Sequence, residues 1–468
     1  MVGSPRQRVL ARGGPTARRG FALVGGLTAV VPAAAQPTTL HAEASITAGY
    51  DSNVLGTGDG LLAADGVTPL EPLRAFTIQV SPGLALFHEA PRWRLAARYA
   101  HPFIFFVNLD GLDTSADIGS VQLFYELSKT EQLTLGVDGG RFATRLTNLG
   151  AASQTAVSSQ PVGASTILNA TISQGYAREL GPRWSLVQNA SLTGVYALQG
   201  PQLPLVSVGV GAGPVYSRQN HSLAIEPSAG YTTTVGIDDE ARDAGFIETD
   251  QAVLGLLGRW RWDFSPDWSS ELAAGAGAAV GRGQTTVDEE GEQTGELSVG
   301  IGPIGRAALN LAMESGYTGS LYFESAITPN ILTSQLFYSQ TLGLRGGFPL
   351  SVEYDITLST SVGYSWNRVV DENQNLDTDI VNTFIGDVSL GWYPRNYPSV
   401  EVRYQRLQQF GAGDEAQVLL PNYDRDVATL VVSWRWPSRE ALEVPTGAPT
   451  RVDERERRRL LGDRESNR

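Results

Sequence analysis

The chain has 468 residues with no Cys, 52 Gly and 25 Pro, and its formal net charge is −14. The lack of Cys excludes disulfides, thiolate metal ligands, a thiol nucleophile and a Cys-linked lipid anchor. The acidic balance does not fit a nucleic-acid-binding protein, and no stretch beyond the N-terminus is long and apolar enough for a membrane-spanning helix.

Residues 1–35 have the composition of an export signal. Residues 1–20 contain five Arg and no acidic residue, an apolar run follows over 21–31, and Ala33 and Ala35 are small residues at the cleavage-determining positions. A basic segment, a short apolar run and an A-x-A site are typical of a secretory signal peptide. We therefore expect cleavage near Ala35 and a mature chain that starts at Gln36 outside the cytoplasm.

From Leu40 to Trp436 the dominant pattern is alternation of apolar residues with polar or small ones. Leu254, Leu256 and Trp260, for example, occupy alternate positions of one segment. Successive side chains of a β-strand point to opposite faces, so this pattern gives one apolar and one polar face. No segment here has the period of an amphipathic helix. The pattern predicts an all-β fold.

The length of the alternating segments indicates a membrane. Most are about 11 to 15 residues long, whereas strands of soluble sheets have about 5–6. At a rise of about 3.3 Å and a tilt of about 40°, a strand of about 12 residues covers about 30 Å, the apolar thickness of a bilayer. We expect a transmembrane β-barrel.

The connections alternate between short turns and longer links, and together they predict 18 strands. An even number places both termini on the short-turn side, which is the periplasmic side of outer-membrane barrels. We therefore predict a single antiparallel up-and-down barrel over residues 36–436 with both termini periplasmic. The predicted short turns are 88–92, 128–132, 179–183, 218–221, 265–267, 313–316, 346–350 and 393–398. The predicted longer links are 51–73, 107–115, 145–163, 197–204, 236–249, 281–296, 328–331, 367–379 and 411–425.

Aromatic residues lie at both ends of the predicted strands, and acidic residues lie mainly on one side, as expected for a barrel that crosses two lipid–water interfaces. Trp93, Trp260 and Trp434 lie beside short turns, and Tyr50 and Phe410 lie near longer links. Amphipathic rings favour both interfaces of a bilayer. Acidic residues concentrate in the longer links. This pattern predicts the bacterial outer membrane, with its lipid and lipopolysaccharide as contacts.

The last predicted strand, residues 427–436, has the sequence VATLVVSWRW. Its aromatic end resembles the closing-strand signal of outer-membrane barrels, which implies that the barrel-assembly machinery recognises this chain.

Several prolines fall inside predicted strands. Each removes a donor from the hydrogen-bond ladder. We expect a bulge, a protruding part of the wall or a shifted register at these positions. They are Pro82, Pro102, Pro214, Pro227 and Pro303.

The predicted inner face consists mostly of Gly, Ser, Thr, Asn and Gln. A barrel of about 16 to 18 strands lined by small side chains leaves an aqueous channel. Charged exceptions cluster in the short-turn half and predict a pore-lining belt of mixed sign. The belt either narrows the pore or docks a periplasmic partner, or else it forms salt bridges that hold the wall. It comprises Arg94, Arg98, Glu126, Arg259, Arg261, Glu271, Arg345, Glu353, Asp355, Glu401, Arg403 and Arg435.

Patterns that carry catalytic or metal chemistry are weak. The four His are scattered, and the glycines of 209–213 share one strand face with no helix following. The acidic runs 238–240 and 288–290 lack the ligand spacing of a Ca²⁺ loop. We predict a non-enzyme without metal or cofactor. Residues 437–468 form a charged periplasmic tail that we expect to be disordered, with a short helix that recruits a partner as the alternative.

Gly49-Tyr50-Asp51-Ser52-Asn53 closes the first predicted strand. This stretch is similar to the G-Y-D-[DS]-N motif of a family of outer-membrane β-barrel porins. The architecture over roughly 40–436 resembles the 18-stranded barrels that partner periplasmic polysaccharide-export proteins. The resemblance implies a channel for secreted polysaccharide and a separate periplasmic export protein as its partner.

Three functions follow as alternatives. The first is polysaccharide export through a wide, neutral lumen. The second is passive diffusion of small solutes, with an inward-folded link, 51–73 or 145–163, constricting the pore. The third is a structural or adhesive surface barrel with a plugged lumen.

Overall fold

In the computed structural model of the chain, the regular elements of the described residues are all β-strands. These residues are 38–53, 72–109, 113–143, 166–199, 205–234, 250–287, 293–329, 336–369, 380–394, 398–412 and 422–436. Within this part of the chain, no helix combines the length and the apolar character needed to cross a membrane. The predicted signal peptide, 1–35, and tail, 437–468, lie outside it.

The described strand segments all belong to one sheet. They are β1 (Thr38–Asp51), β2 (Ala75–Ala90), β3 (Trp93–Ala100), β4 (Phe103–Phe106), β5 (Thr114–Ser115), β6 (Asp117–Ser128), β7 (Glu131–Ala143), β8 (Thr166–Glu179), β9 (Trp184–Gln199), β10 (Leu205–Arg218), β11 (His221–Thr234), β12 (Asp250–Asp263), β13 (Trp268–Val287), β14 (Gln293–Ala312), β15 (Thr318–Pro329), β16 (Leu336–Ser351), β17 (Ile356–Val369), β18 (Ile380–Trp392), β19 (Ser399–Ala412) and β20 (Tyr423–Trp436).

The sheet closes on itself as an antiparallel barrel. β1 pairs with β2 over its whole length and with β20 from Ala42↔Trp436 to Asp51↔Val427. β3 and β4 lie end to end along β2, and β5 and β6 run in the same way along β4 and β3. The segments therefore make 18 wall strands. The predicted up-and-down barrel of about 18 antiparallel strands is confirmed.

The predicted alternation sets the two faces of the wall. On β1, Ile46 faces outward beside Val80 of β2 and Val432 of β20, and all three side chains are exposed. Ser45 and Thr47, the chain neighbours of Ile46, point inward. A closed sheet with an apolar outer face and a polar inner face is stable in lipid, because its apolar face contacts lipid instead of water.

The strand ends put most connections close to the predicted positions, and two differ. Most residues of the longer links, including 145–163, lie outside the described part of the chain. The short turn predicted at 346–350 was wrong, because β16 continues to Ser351 and the turn is 352–355. A β-bulge between Pro349 and Ser351 lets the strand continue past the proline. The link predicted at 281–296 is shorter, because β13 extends to Val287 and β14 begins at Gln293, each strand having 20 residues.

Two of the prolines, Pro82 and Pro102, lie at the break between β3 and β4. Pro102 separates β3 from β4, and its carbonyl accepts a hydrogen bond from the Ala116 amide at 2.9 Å. Pro82 stays in register with Ala44 of β1, and its carbonyl accepts one from the His101 amide at 2.9 Å. The ladder from β2 to β3 and β4 is therefore interrupted opposite Pro82, whereas the β1–β2 ladder continues through it.

The other three prolines lie where ladders are incomplete. The β10–β11 ladder omits residues 212–214 and 225–227, which contain Pro214 and Pro227. The β14–β15 ladder runs only from Gly305↔Ser325 toward the short turn, so Pro303 lies just beyond it. The expected local disruption is confirmed there, and the β10–β11 register is the same on both sides of its gap.

Both ends of the described barrel lie at the end of the short turns. Thr38 pairs with His88 near the turn at 91–92, and Trp436 pairs with Ala42. That this end faces the periplasm stays a prediction.

Candidate functional site

The candidate site is the inner wall of the barrel, and its charged residues are arranged as ion pairs. Arg94 Nε lies 2.9 Å from Glu89 Oε1, and Arg261 Nε lies 3.0 Å from Asp263 Oδ1. Three further pairs each join adjacent strands: Arg259–Glu226, Arg403–Asp387 and Arg435–Glu43. All five lie in the short-turn half. Four of the five pairs therefore connect neighbouring strands of the wall, whereas Arg261–Asp263 lies within β12.

Two belt arginines lie over aromatic rings that also face inward. The Arg98 guanidinium carbon is 5.7 Å from the centre of the Phe87 ring, and that of Arg345 is 5.1 Å from the centre of the Tyr322 ring. A guanidinium within about 6 Å of a ring centre is attracted by the electron-rich face. The rings hold both arginines against the wall.

The remaining predicted belt residues divide into two groups. Glu126 and Glu271 face inward, and Glu401 accepts a hydrogen bond from the Tyr393 hydroxyl at 2.9 Å. Glu353 and Asp355 instead lie in the exposed turn between β16 and β17, where Asp355 has a φ of 52°. The structure therefore does not bring these two together with the rest of the belt.

The carboxylate partners of the belt arginines were missed by the sequence prediction. Alternation assigns a residue to the inner or outer face, but a cross-strand partner depends on the register. Glu226 could be matched with Arg259 only once β11 and β12 are aligned. A search for opposite charges on the inward positions of adjacent strands would have found it.

A second part of the inner wall carries no charge, and we call it the hydroxyl sector. It consists of the inward-facing residues of 167–177, 185–195 and 205–217 on β8, β9 and β10. Thr171 Oγ1 and Thr193 Oγ1 are 3.1 Å apart, and Thr232 of β11 donates a hydrogen bond to Ser207 at 2.9 Å. Asn189 and Ser191 are exposed. This sector offers hydroxyl and amide groups to the lumen.

Toward the long-link end, the inner wall is buried, and we call this region the upper inner wall. Gln251, Thr341 and Asn367 face inward and are 0–1% exposed. Ser339 Oγ and Thr383 Oγ1 are buried there and have no hydrogen-bond partner in the described part of the chain. An inward-facing side chain this deeply buried must be covered from the lumen. Solvent in the lumen therefore does not reach these side chains.

The G-Y-D-S-N stretch forms a clasp between β1 and β20. Asp51 receives two hydrogen bonds from Arg425, Nη2 to Oδ2 at 2.6 Å and Nε to Oδ1 at 3.1 Å. The Ser52 amide donates to the Asp426 carbonyl at 2.9 Å, and the Asp426 amide donates to Ser52 Oγ at 2.7 Å. Asn53 Nδ2 donates to the Asp424 carbonyl at 3.3 Å. These contacts join the first and last strands of the barrel.

The outer face carries aromatic rings beside the short turns. Trp260 and Trp262 stack with parallel planes at 6.1 Å, and Trp184 lies 5.0 Å from Tyr216. Aliphatic side chains such as Leu254 continue the outer face toward the long-link end. In the described part of the chain, no group of three or more His, Asp or Glu residues is arranged to hold a metal ion.

The closed sheet, its apolar outer face and its aromatic belt define a membrane-spanning β-barrel of the outer-membrane type. Comparison with protein-family models finds no match, and comparison with curated proteins finds none either. Among solved structures, the chain is similar to the outer membrane protein OpdK from Pseudomonas aeruginosa, with 10% identity, 85% of this chain and 99% of that chain covered, and a TM-score of 0.41. It is also similar to the copper transporter OprC, with 8% identity, 85% and 81% covered, and a TM-score of 0.44. The FrpB iron transporter from Neisseria meningitidis gives 9% identity, 85% and 81% covered, and a TM-score of 0.43.

Proposed function

We propose that this barrel is a channel in the bacterial outer membrane that exports a polysaccharide, with a separate periplasmic export protein as its partner. The observation that supports this most is the hydroxyl sector. Ser, Thr and Asn side chains both donate and accept hydrogen bonds, as sugar hydroxyls do. A neutral wall of this kind can replace water around a polymer without holding it tightly, and transport requires contacts weak enough to release.

The ion-paired belt supports the docking part of the proposal. Its residues lie in the short-turn half, and the side chains of the Arg94–Glu89 and Arg435–Glu43 pairs are only partly buried. Partly exposed charges of both signs offer a protein partner complementary contacts that set its orientation. The partner would sit against the mouth of the barrel at the short-turn end.

The second candidate function is passive diffusion of small solutes. The upper inner wall favours it, because buried inward residues such as Thr341 and Asn367 indicate a narrow passage near the long-link end. A polymer would require this region to widen, whereas a small solute would not.

Single-channel recording in planar bilayers tests both candidates. We expect an open channel whose conductance falls when neutral polyethylene glycols of increasing size enter the lumen. Deletion of the gene should remove surface polysaccharide, measured by staining of whole cells. Normal surface polysaccharide with impaired uptake of small solutes would contradict export and support diffusion. A barrel that conducts no ions would contradict both and favour a plugged structural barrel.

A further inference from the structure

Polar clusters interrupt the apolar outer face near the long-link end of the barrel. In the first, the Tyr99 hydroxyl donates to Asp117 Oδ1 at 2.8 Å, His101 Nδ1 lies 2.7 Å from the same oxygen, and Arg141 Nε lies 3.3 Å from Asp117 Oδ2. The register places Tyr99, Asp117 and Arg141 on the outer face of β3, β6 and β7, because Asp117 pairs with Arg141, and Arg141 with the exposed Leu168. His101 directly follows β3.

Two other clusters repeat the tyrosine–aspartate contact at the same end. The Tyr231 hydroxyl donates to Asp250 at 2.8 Å, and the Tyr404 hydroxyl donates to Asp426 at 2.6 Å. In the last, Arg406 uses Nη1 for Asp426 at 3.3 Å and Nη2 for Asp424 at 3.6 Å. Only the first cluster combines an arginine and a histidine with a single carboxylate.

The position of these clusters along the membrane normal indicates which part of the lipid surrounds them. Asp117 and Tyr125 both face outward on β6, and Asp426 and Trp434 do so on β20, each pair eight positions apart in the sequence. At a rise of about 3.3 Å and a tilt of about 40°, this separation corresponds to about 20 Å across the membrane. An apolar band of an outer-membrane barrel is about 25 Å tall. The clusters therefore lie at the boundary between lipid tails and headgroups.

We propose that Arg141 and His101 form a binding site for a phosphate group of a membrane lipid in the leaflet at the long-link end. Arg141 contacts Asp117 through Nε, and its side chain is 45% exposed. A guanidinium has five N–H donors, and one carboxylate contact leaves donors to bind a second anion. Asp117 fixes the orientation of both basic side chains. This inference is independent of what the lumen transports.

A titration in a neutral detergent tests the site. The probe is lipid A carrying both phosphates, and binding to the full barrel is measured by native mass spectrometry. Arg141→Gln should weaken binding about tenfold, the loss expected for a hydrogen bond between charged groups. Lipid A without phosphates should bind the wild type about as weakly. Arg406→Gln is the matched control on the same face, and we expect it to change binding less than twofold, because both of its amino groups are held by aspartates.

Any one of the following results would overturn the proposal. Equal binding of the two lipid A forms would exclude phosphate as the recognised group. An equal loss in Arg406→Gln would show a general charge effect. Inorganic phosphate that binds Arg141 as tightly as the lipid does would show an anion site rather than a lipid site. A heat-modifiable band on a gel shows that Arg141→Gln folds. If this variant gives no such band, Leu168→Glu replaces it, because a carboxylate beside Arg141 should also weaken lipid binding. Unchanged binding in Leu168→Glu would contradict the site.

Discussion

Asp51 and Arg425 are separated by 374 positions in the sequence, yet they form a buried ion pair with two parallel hydrogen bonds between the first and last strands. Their side chains are 8% and 5% exposed. Every other ladder of the described sheet joins strands that are close in sequence. The β1–β20 ladder is the one that joins the first strand to the last. The clasp lies at the place where closure has the largest loss of chain entropy.

Breaking this pair should destabilise the barrel. Arg425→Met leaves the Asp51 carboxylate buried without its partner, which typically has a cost of about 3–5 kcal/mol. The midpoint of urea unfolding in detergent micelles, followed by Trp fluorescence, measures the change. Arg261→Met, which breaks a partly exposed pair with Asp263, should have a much smaller effect. Equal losses in the two variants would contradict a special role for the clasp.

A methyl group added at Gly213 should destabilise the barrel. A Cβ there would clash with the Ile225 carbonyl oxygen, a backbone atom that cannot rotate away. Gly213→Ala forces β10 and β11 apart, and we expect a loss of about 1–3 kcal/mol in the same urea titration. Gly194→Ala is the control, because no atom lies within 4 Å of its Cβ position. Equal stability of Gly213→Ala and Gly194→Ala would contradict the close approach of β10 and β11 at Gly213.

The outer and inner faces should respond differently to a charge. Leu430 faces outward in the middle of β20, and the adjacent Val431 faces inward opposite Glu401. Leu430→Arg should lose about 2–4 kcal/mol, the cost of an arginine on the lipid face near the midplane. Val431→Arg should be tolerated because it gains a carboxylate neighbour. Unfolding in lipid vesicles measures both, and the reverse order would invert the assignment of faces.

Neutralising one member of a belt pair should change ion selectivity. Asp387→Asn leaves the Arg403 guanidinium without its carboxylate on the inner wall. The free positive charge should shift the reversal potential in a KCl gradient toward anion selectivity, since rings of fixed charge set the selectivity of a pore. Asp250→Asn, on the outer face, should leave the reversal potential unchanged. A shift of equal size in both variants would mean that Asp387 does not face the lumen.

The sequence was sufficient for the architecture but not for the contacts. Alternation placed Leu254 and Leu256 together on an apolar face, and this face lies outward. The pattern is clear because the two faces of a strand in a membrane differ so strongly in polarity. It failed at the predicted turn 346–350, where a bulge beside Pro349 lets β16 continue to Ser351. That error displaced Glu353 and Asp355 from their predicted place on the wall.

Pairing across strands could not be predicted for a different reason. The outer or inner face of Arg425 follows from its position in β20, but its contact with Asp51 depends on which residues of β1 and β20 align. Sequence patterns carry the period of a strand and not its register. For the same reason the five-residue stretch ending in Asn53 was recognised by resemblance while its role in closure was not.

Disulfide formation between β1 and β20 tests the closed barrel most directly. The chain has no Cys, so Ser45→Cys together with Ser433→Cys introduces the only two thiols. These residues are direct partners in the β1–β20 ladder, and such Cα separations fall within disulfide range. We predict an intramolecular crosslink in the folded barrel, seen as a shifted band on a non-reducing gel, whereas Ser45→Cys with Ser191→Cys gives none. Free thiols in the folded Ser45/Ser433 variant, or crosslinks only between molecules, would contradict closure.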